Sequence, residues 1–83
     1  MDKVDIKDVL EDIFNLPYAN DVTTKQLMST QFKNMNIDEF DLVNIELKIY
    51  DKYKVAFGLG DLTINSTILD LTNLINNKLI DKE

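Results

Sequence analysis

Residues 38–55 read DEFDLVNIELKIYDKYKV, and this stretch decides the fold of the chain. At the helical step of about 100° per residue, its apolar side chains fall into two separate stripes. The Leu42 stripe contains Leu42, Ile45, Ile49 and Tyr53, and the Phe40 stripe contains Phe40, Val43, Leu47 and Tyr50. A surface helix needs only one apolar face. The second stripe is therefore either a further packing contact, partly covered by neighbouring segments, or a surface kept for a partner.

The start of this helix is marked by two acids. Asp38 is a favoured N-cap residue, and Asp41 stands at the third helical position, so the pair predicts a capping box with a shorter acid in place of glutamate. Both carboxylates therefore have a purely structural explanation.

Upstream, residues 3–16 are predicted to form the first helix. Apolar side chains recur there at one-turn spacing opposite a run of acids, and they are Ile6, Val9, Leu10, Ile13 and Phe14. Pro17 is expected to end the helix, because the residue before a proline is pushed out of helical geometry. Residues 18–33 then read as a long connection.

Downstream, Gly58-Leu59-Gly60-Asp61 breaks the helical pattern. Ser66 or Thr67 is expected to cap a last helix, with Asp70 three residues after Thr67. The buried stripe of that helix is predicted to contain Ile68, Leu71, Ile75 and Leu79. Periodicity thus predicts an all-α fold, a small four-helix bundle with three long helices and a short one, as a single domain over residues 1–83.

Composition excludes several classes of function. The 83 residues carry a net charge of -6 and include no arginine, which argues against binding to nucleic acid. Without cysteine or histidine there is no disulfide, thiolate nucleophile or usual zinc site, and no nucleophile lies beside a base. We therefore expect no enzymatic activity and no metal site. No apolar run is long enough for a signal sequence or a membrane span, so a cytoplasmic monomer is expected.

The pattern from Asp38-Glu39-Phe40-Asp41 to Val55 resembles the signature of acyl carrier proteins and their peptidyl carrier relatives. In that family an Asp-Ser-Leu-Asp opening starts the second helix, and an aromatic and a β-branched residue close it. The resemblance implies an acyl-carrier-type four-helix bundle. It also implies a short third helix, for which residues 62–64 are the candidate, and an aromatic residue of the long loop packed inward, for which Phe32 is the candidate.

The important departure from the family is Glu39, which stands where the attachment serine would carry 4′-phosphopantetheine. A carboxylate cannot form the stable phosphodiester that holds this arm, so we predict an unmodified chain without cofactor. Ser29 and Ser66 are weak substitutes, because neither lies at the acidic helix start. Glu39 then either suits the helix dipole after the arm was lost, or imitates the charge of the phosphodiester.

The resemblance also implies a docking surface for carrier-dependent enzymes. Family residues matching Phe40, Val43 and Leu47 lie on the exposed side of the second helix, beside acids that meet basic partner surfaces. The corresponding acids here are Asp38, Asp41, Glu46 and Asp51. Glu46 departs from the apolar residue usual in the family, and Lys48 and Lys52 dilute the acidity.

The resulting hypothesis is a carrier-like domain of fatty-acid, polyketide or nonribosomal-peptide metabolism that acts by protein–protein interaction. The alternative is a small acidic binding or inhibitor protein, of the immunity type, for a basic partner. A glutamate introduced deliberately at position 39 is a further possibility at the level of sequence.

Overall fold

A computed structural model describes residues 3–82, and the side chains of residues 3–79. Within this range the chain forms four helices and no strand. Helix α1 joins an α-helical turn, Ile6–Asp8, to π-helical Val9–Ile13, while α2 is Val22–Met28, α3 is Glu39–Tyr53 and α4 is Ile68–Lys82. A 3₁₀ helix, Phe32–Met35, lies between α2 and α3. The predicted all-α class is confirmed.

The described residues pack around one apolar core. Their radius of gyration is 12.2 Å, close to the roughly 12 Å expected of a compact domain of this length. The core draws on α1, α3, α4 and the segments between them, and it contains Val4, Val9, Leu10, Ile13, Phe32, Leu42, Ile45, Ile49, Val55, Leu62, Ile68, Leu71, Ile75 and Leu79. The predicted single domain also includes residues 1, 2 and 83, which lie outside the described part.

Helix α3 begins with the capping box that the sequence predicts. The Asp41 backbone N–H donates to the Asp38 carboxylate at 2.9 Å, and the Asp38 N–H donates to the Asp41 carboxylate at 3.1 Å. The helix ends where Lys54 adopts a left-handed conformation with φ 58° and donates its N–H to the Tyr50 carbonyl. The predicted boundaries, 38 and 55, are therefore close to the observed ones.

Helix α1 is shorter than the predicted residues 3–16. It ends because Asn15 adopts a left-handed conformation with φ 56°, which allows the Leu16 N–H to donate to the Leu10 carbonyl at 3.1 Å. The helix therefore ends at Ile13, and the left-handed Asn15, not Pro17 as predicted, ends it.

Helix α1 starts later than predicted because hydrogen bonds to α4 fix the preceding backbone outside a helix. The buried Asn76 side chain of α4 accepts from the Val4 N–H at 2.7 Å and donates to the Val4 carbonyl at 2.9 Å. These two bonds satisfy the backbone of Val4 outside a helix, and Asp5 becomes the N-cap.

The connection over residues 18–33 is not the uninterrupted loop that was predicted. Asp21 caps α2 by accepting from the Thr24 N–H at 2.8 Å, and this bond lowers the pKa of Asp21. Phe32 is fully buried, and its ring centroid lies 5.8 Å from that of Phe14. Phe32 therefore packs inward as predicted, at the start of the 3₁₀ helix.

The short helix predicted at residues 62–64 does not form. Gly60 has a positive φ of 85°, and the Asp61 carboxylate accepts from the Gly58 N–H at 2.7 Å, so the segment forms a capped turn. Backbone bonds then hold it: the Phe32 N–H donates to the Ser66 carbonyl and the Lys33 N–H donates to the Ile64 carbonyl. The described part of the chain therefore has two long helices, α3 and α4, and two short ones, α1 and α2, so the prediction of three long helices and a short one after α3 is wrong.

Helix α4 agrees with its prediction. Thr67 provides the cap, since its hydroxyl accepts from the Asp70 N–H at 3.1 Å and its own N–H donates to the Asp70 carboxylate at 3.0 Å. Ser66 instead accepts from the Thr63 N–H. The predicted stripe of Ile68, Leu71, Ile75 and Leu79 is buried.

Candidate functional site

The two stripes of α3 have opposite environments. Leu42, Ile45 and Ile49 are buried in the apolar core, and Tyr53 is partly buried. The exposed fractions of the Phe40 stripe are 80% for Phe40, 53% for Val43, 62% for Leu47 and 53% for Tyr50. The alternative in which neighbouring segments cover this stripe is therefore wrong. Four large apolar side chains therefore share one exposed face of α3, which makes this face the candidate site.

Acids surround the N-terminal part of this surface. The Asp38 and Asp41 carboxylates are exposed but are already used in the capping box. Glu39 is exposed in the first helical turn and takes no part in that box. Its carboxylate therefore faces solvent next to Phe40, where it benefits from the positive end of the helix.

An open groove runs along the same end of α3. Its volume is about 490 Å³, and one wall is α3 while the other is the turn that follows it. The groove is lined by Glu39, Leu42, Val43, Glu46, Phe57, Gly58, Leu59, Gly60, Leu62, Thr63 and Ile64. Because Val43 belongs to both, the groove and the Phe40 stripe form one continuous surface.

Glu46 lines this groove, where its surroundings disfavour the charged form of its carboxylate. Its side chain is partly buried, and this burial, followed by the negative charge of Asp61, raises the pKa of Glu46. Asp61 differs, since the Gly58 N–H and then the Lys78 ammonium, 3.1 Å away, lower the pKa of Asp61. The groove lining contains no lysine. The cation beside it is Lys78, which pairs with Asp61 and lies 5.8 Å from the Phe57 ring of the lining.

The lysines of α3 lie away from this groove. The Lys52 ammonium pairs with the Asp12 carboxylate of α1 at 2.9 Å, an ion pair that raises the pKa of Lys52. Lys54 lies at the other end of the stripe, 5.9 Å from the Tyr50 ring. Lys48 is exposed on the side opposite Glu46. The acidity predicted for this face therefore belongs to its N-terminal half, and Asp51 is an exposed acid near the other end.

Other predicted positions lie apart from the surface. Ser29 is the C-cap of α2, and Ser66 lies in the turn before α4. Neither lies at the start of α3. In the described part of the chain, no three acidic side chains come together in a way that could hold a metal ion. No helix there has the length and apolar character that crossing a membrane requires.

The wall of the groove opposite α3 was not predicted from the sequence. Gly58-Leu59-Gly60-Asp61 was interpreted only as a helix break, yet Leu59 is fully exposed and Leu62 is buried in the lining of the groove. An apolar residue between two glycines was the available signal, because a solvent-facing turn does not need one.

Comparison of the chain with protein-family models, with curated proteins and with solved structures found no match. The fold and the surface geometry are therefore the observations on which a function is proposed.

Proposed function

We propose that this chain is a divergent carrier-like domain that acts unmodified, by binding carrier-dependent enzymes through α3. The enzymes in question are those of fatty-acid, polyketide or nonribosomal-peptide metabolism, with basic docking surfaces. The observation that carries the proposal is the exposed Phe40 stripe, which begins directly after the acidic start of α3.

The start of α3 supports this proposal in a second way. Asp38 and Asp41 form the capping box on either side of Glu39, so residue 39 lies in the first turn with its side chain exposed. A serine in the same place would present its hydroxyl to solvent, as attachment of 4′-phosphopantetheine requires. Glu39 presents a carboxylate instead, and a carboxylate would give a labile acyl phosphate rather than a phosphodiester.

The bundle also departs from the family expectation. The segment after α3 is a capped turn, and the short helix α2 lies between α1 and α3. An enzyme that needs a short helix after α3 would not bind this chain, so the proposed partners are those that contact α3 itself.

The proposal is tested by intact-mass spectrometry. The natural chain, Glu39→Ser and Glu39→Ala are each incubated with coenzyme A and a broad-specificity phosphopantetheinyl transferase. We expect only Glu39→Ser to gain one arm, because it alone has a hydroxyl at the recognised position. Glu39→Ala controls for loss of the charge without gain of the hydroxyl.

Two results would contradict the proposal. If no variant is modified, the start of α3 is not a transferase substrate, and the small acidic inhibitor of a basic partner becomes the better interpretation. If the natural chain is modified, our interpretation of Glu39 is wrong, and Ser29 and Ser66 become the candidate attachment sites.

Glu39 itself has two proposed roles that a binding measurement separates. If its carboxylate imitates the phosphodiester, Glu39→Ala weakens binding to a carrier-dependent enzyme while the far-ultraviolet circular dichroism stays unchanged. Unchanged affinity would leave only the interaction with the helix dipole, worth about 0.3–1 kcal/mol of stability.

A further inference from the structure

The Phe40 stripe has the spacing of a helix-pairing seam. Its residues follow one another at intervals of three, four and three positions, which are the a and d positions of a heptad. At a rise of about 1.5 Å per residue, the seam is roughly 15 Å long and matches about three turns of a second helix. All four side chains are more than half exposed.

The positions that flank this seam are acidic or neutral. Glu39 and Glu46 occupy the g positions on the groove side, and Asn44 and Asp51 occupy the e positions on the other side. In paired helices these flanking positions select the partner through charge. The flanks of α3 therefore favour a partner with cations at the matching positions.

A second copy of the chain does not fit this requirement. In an antiparallel pair related by a two-fold axis, the flank with Glu46 in one copy would meet the same flank in the other. In a parallel pair, Glu46 of one copy would meet Asp51 of the other. Both arrangements bring like charges together, and the net charge of -6 adds to the repulsion.

We propose that the Phe40 stripe and the adjoining groove bind a basic amphipathic α-helix of a partner protein. The apolar residues of that helix pack on the stripe, and one of its Lys or Arg side chains lies in the groove beside Glu46. Its methylene stem contacts Val43 and Leu59, and its charged end meets the Glu46 carboxylate. This inference rests on the proposed function, because it names the kind of segment that the surface of α3 binds.

The state of Glu46 supports this placement. Glu46 lines the groove and is partly buried, and burial, followed by the charge of Asp61, raises the pKa of Glu46. The neighbouring cation, Lys78, pairs with Asp61 at 3.1 Å and not with Glu46. A partner cation within about 4 Å would favour the ionised carboxylate and offset the cost of its burial. The groove therefore gains more from a basic side chain than from an apolar one.

The test uses three helix-stapled synthetic peptides and fluorescence anisotropy. The first has leucines at three-four spacing with lysines on both flanks, the second has the same leucines with glutamates on the flanks, and the third has the lysines with the leucine spacing scrambled. We expect the first peptide to bind at least about tenfold more tightly than either of the others.

Matched variants of the chain locate the binding surface. Leu47→Ala should weaken binding of the first peptide about tenfold, while Leu69→Ala, which changes an exposed leucine of α4, should not. Glu46→Gln should weaken it about threefold, while Glu11→Gln, which removes an exposed acid of α1, should not. Circular dichroism checks that all four variants are folded.

Three results would overturn the inference: equal binding of the lysine and glutamate peptides, no effect of Leu47→Ala and Glu46→Gln, or self-association of the chain in sedimentation with no peptide binding. The last result would assign the surface to a second copy. Failure of the peptide to bind is distinct from failure of the proposed function, because modification of Glu39→Ser tests only the start of α3. A modified Glu39→Ser with no peptide binding would leave the carrier-like proposal standing and reject the helical partner.

Discussion

The two faces of α3 are similar in sequence and opposite in use. Each has four large apolar side chains at helical spacing, yet Ile49 is fully buried while Leu47, two residues away, is 62% exposed. Only the face with Leu42, Ile45 and Ile49 packs into the apolar core. The other face is left with apolar side chains that contribute little to folding, which is why we assign it to a partner.

The largest difference in stability between the two faces of α3 is expected when one side chain on each face is truncated. Ile49→Ala should lower the free energy of unfolding by about 2–5 kcal/mol, because it leaves a cavity in the core. Leu47→Ala should change it by less than about 0.5 kcal/mol, because the removed side chain is exposed. Urea unfolding followed by circular dichroism measures both, and similar losses in the two variants would contradict the division between the faces.

An intermediate loss of stability is expected for a change at the start of α3. Asp38→Ala should cost about 0.5–2 kcal/mol, because the Asp41 N–H then loses the carboxylate that it donates to. Asp51→Ala removes an exposed acid of the same helix without touching the cap, and it should change stability by less than about 0.5 kcal/mol. Equal losses in urea unfolding would show that the capping box contributes nothing measurable.

The smallest change in stability is expected at Glu46, which lies between the two faces of α3. Because its pKa is raised in the folded chain, its ionisation opposes folding, so its contribution is favourable at low pH and is lost as pH rises through the raised pKa. Glu46→Gln should therefore stabilise the chain slightly near pH 7 and lose that advantage near pH 3, where glutamate is protonated in both states. Thermal unfolding at the two pH values measures this. A variant that is less stable than the natural chain near pH 7 would contradict it.

Much of the fold could be predicted from local sequence rules. Helices α3 and α4 each combine a capping box with a regular apolar stripe. The start at Asp38 was predicted correctly, and of the two predicted caps of α4, Ser66 and Thr67, the structure has Thr67. Helix α2 was missed because it has no such stripe: its buried residue is Thr24, and Leu27 is only partly buried. The end of α1 depends on the left-handed Asn15, which periodicity does not indicate.

The candidate site was harder to predict than the fold. Periodicity identified both stripes of α3, but it could not say which one the rest of the chain covers, because the two are equally apolar. The groove depends on contacts between distant segments, such as the bonds from Phe32 and Lys33 to the turn before α4. The sequence therefore predicted the α3 residues of the surface but not those of the turn after α3, which only the packing of distant segments brings beside them.

Under our proposal, α3 docks carrier-dependent enzymes through its Phe40 stripe. The most direct test is a titration of the ¹⁵N-labelled natural chain, which we expect to stay unmodified, with a phosphopantetheinyl transferase, followed by its amide chemical shifts. We predict that the perturbed amides cluster between Glu39 and Asp51 and that Leu47→Ala weakens the response while Leu69→Ala does not. Perturbations confined to α1 or α4, or none at all, would contradict the claim.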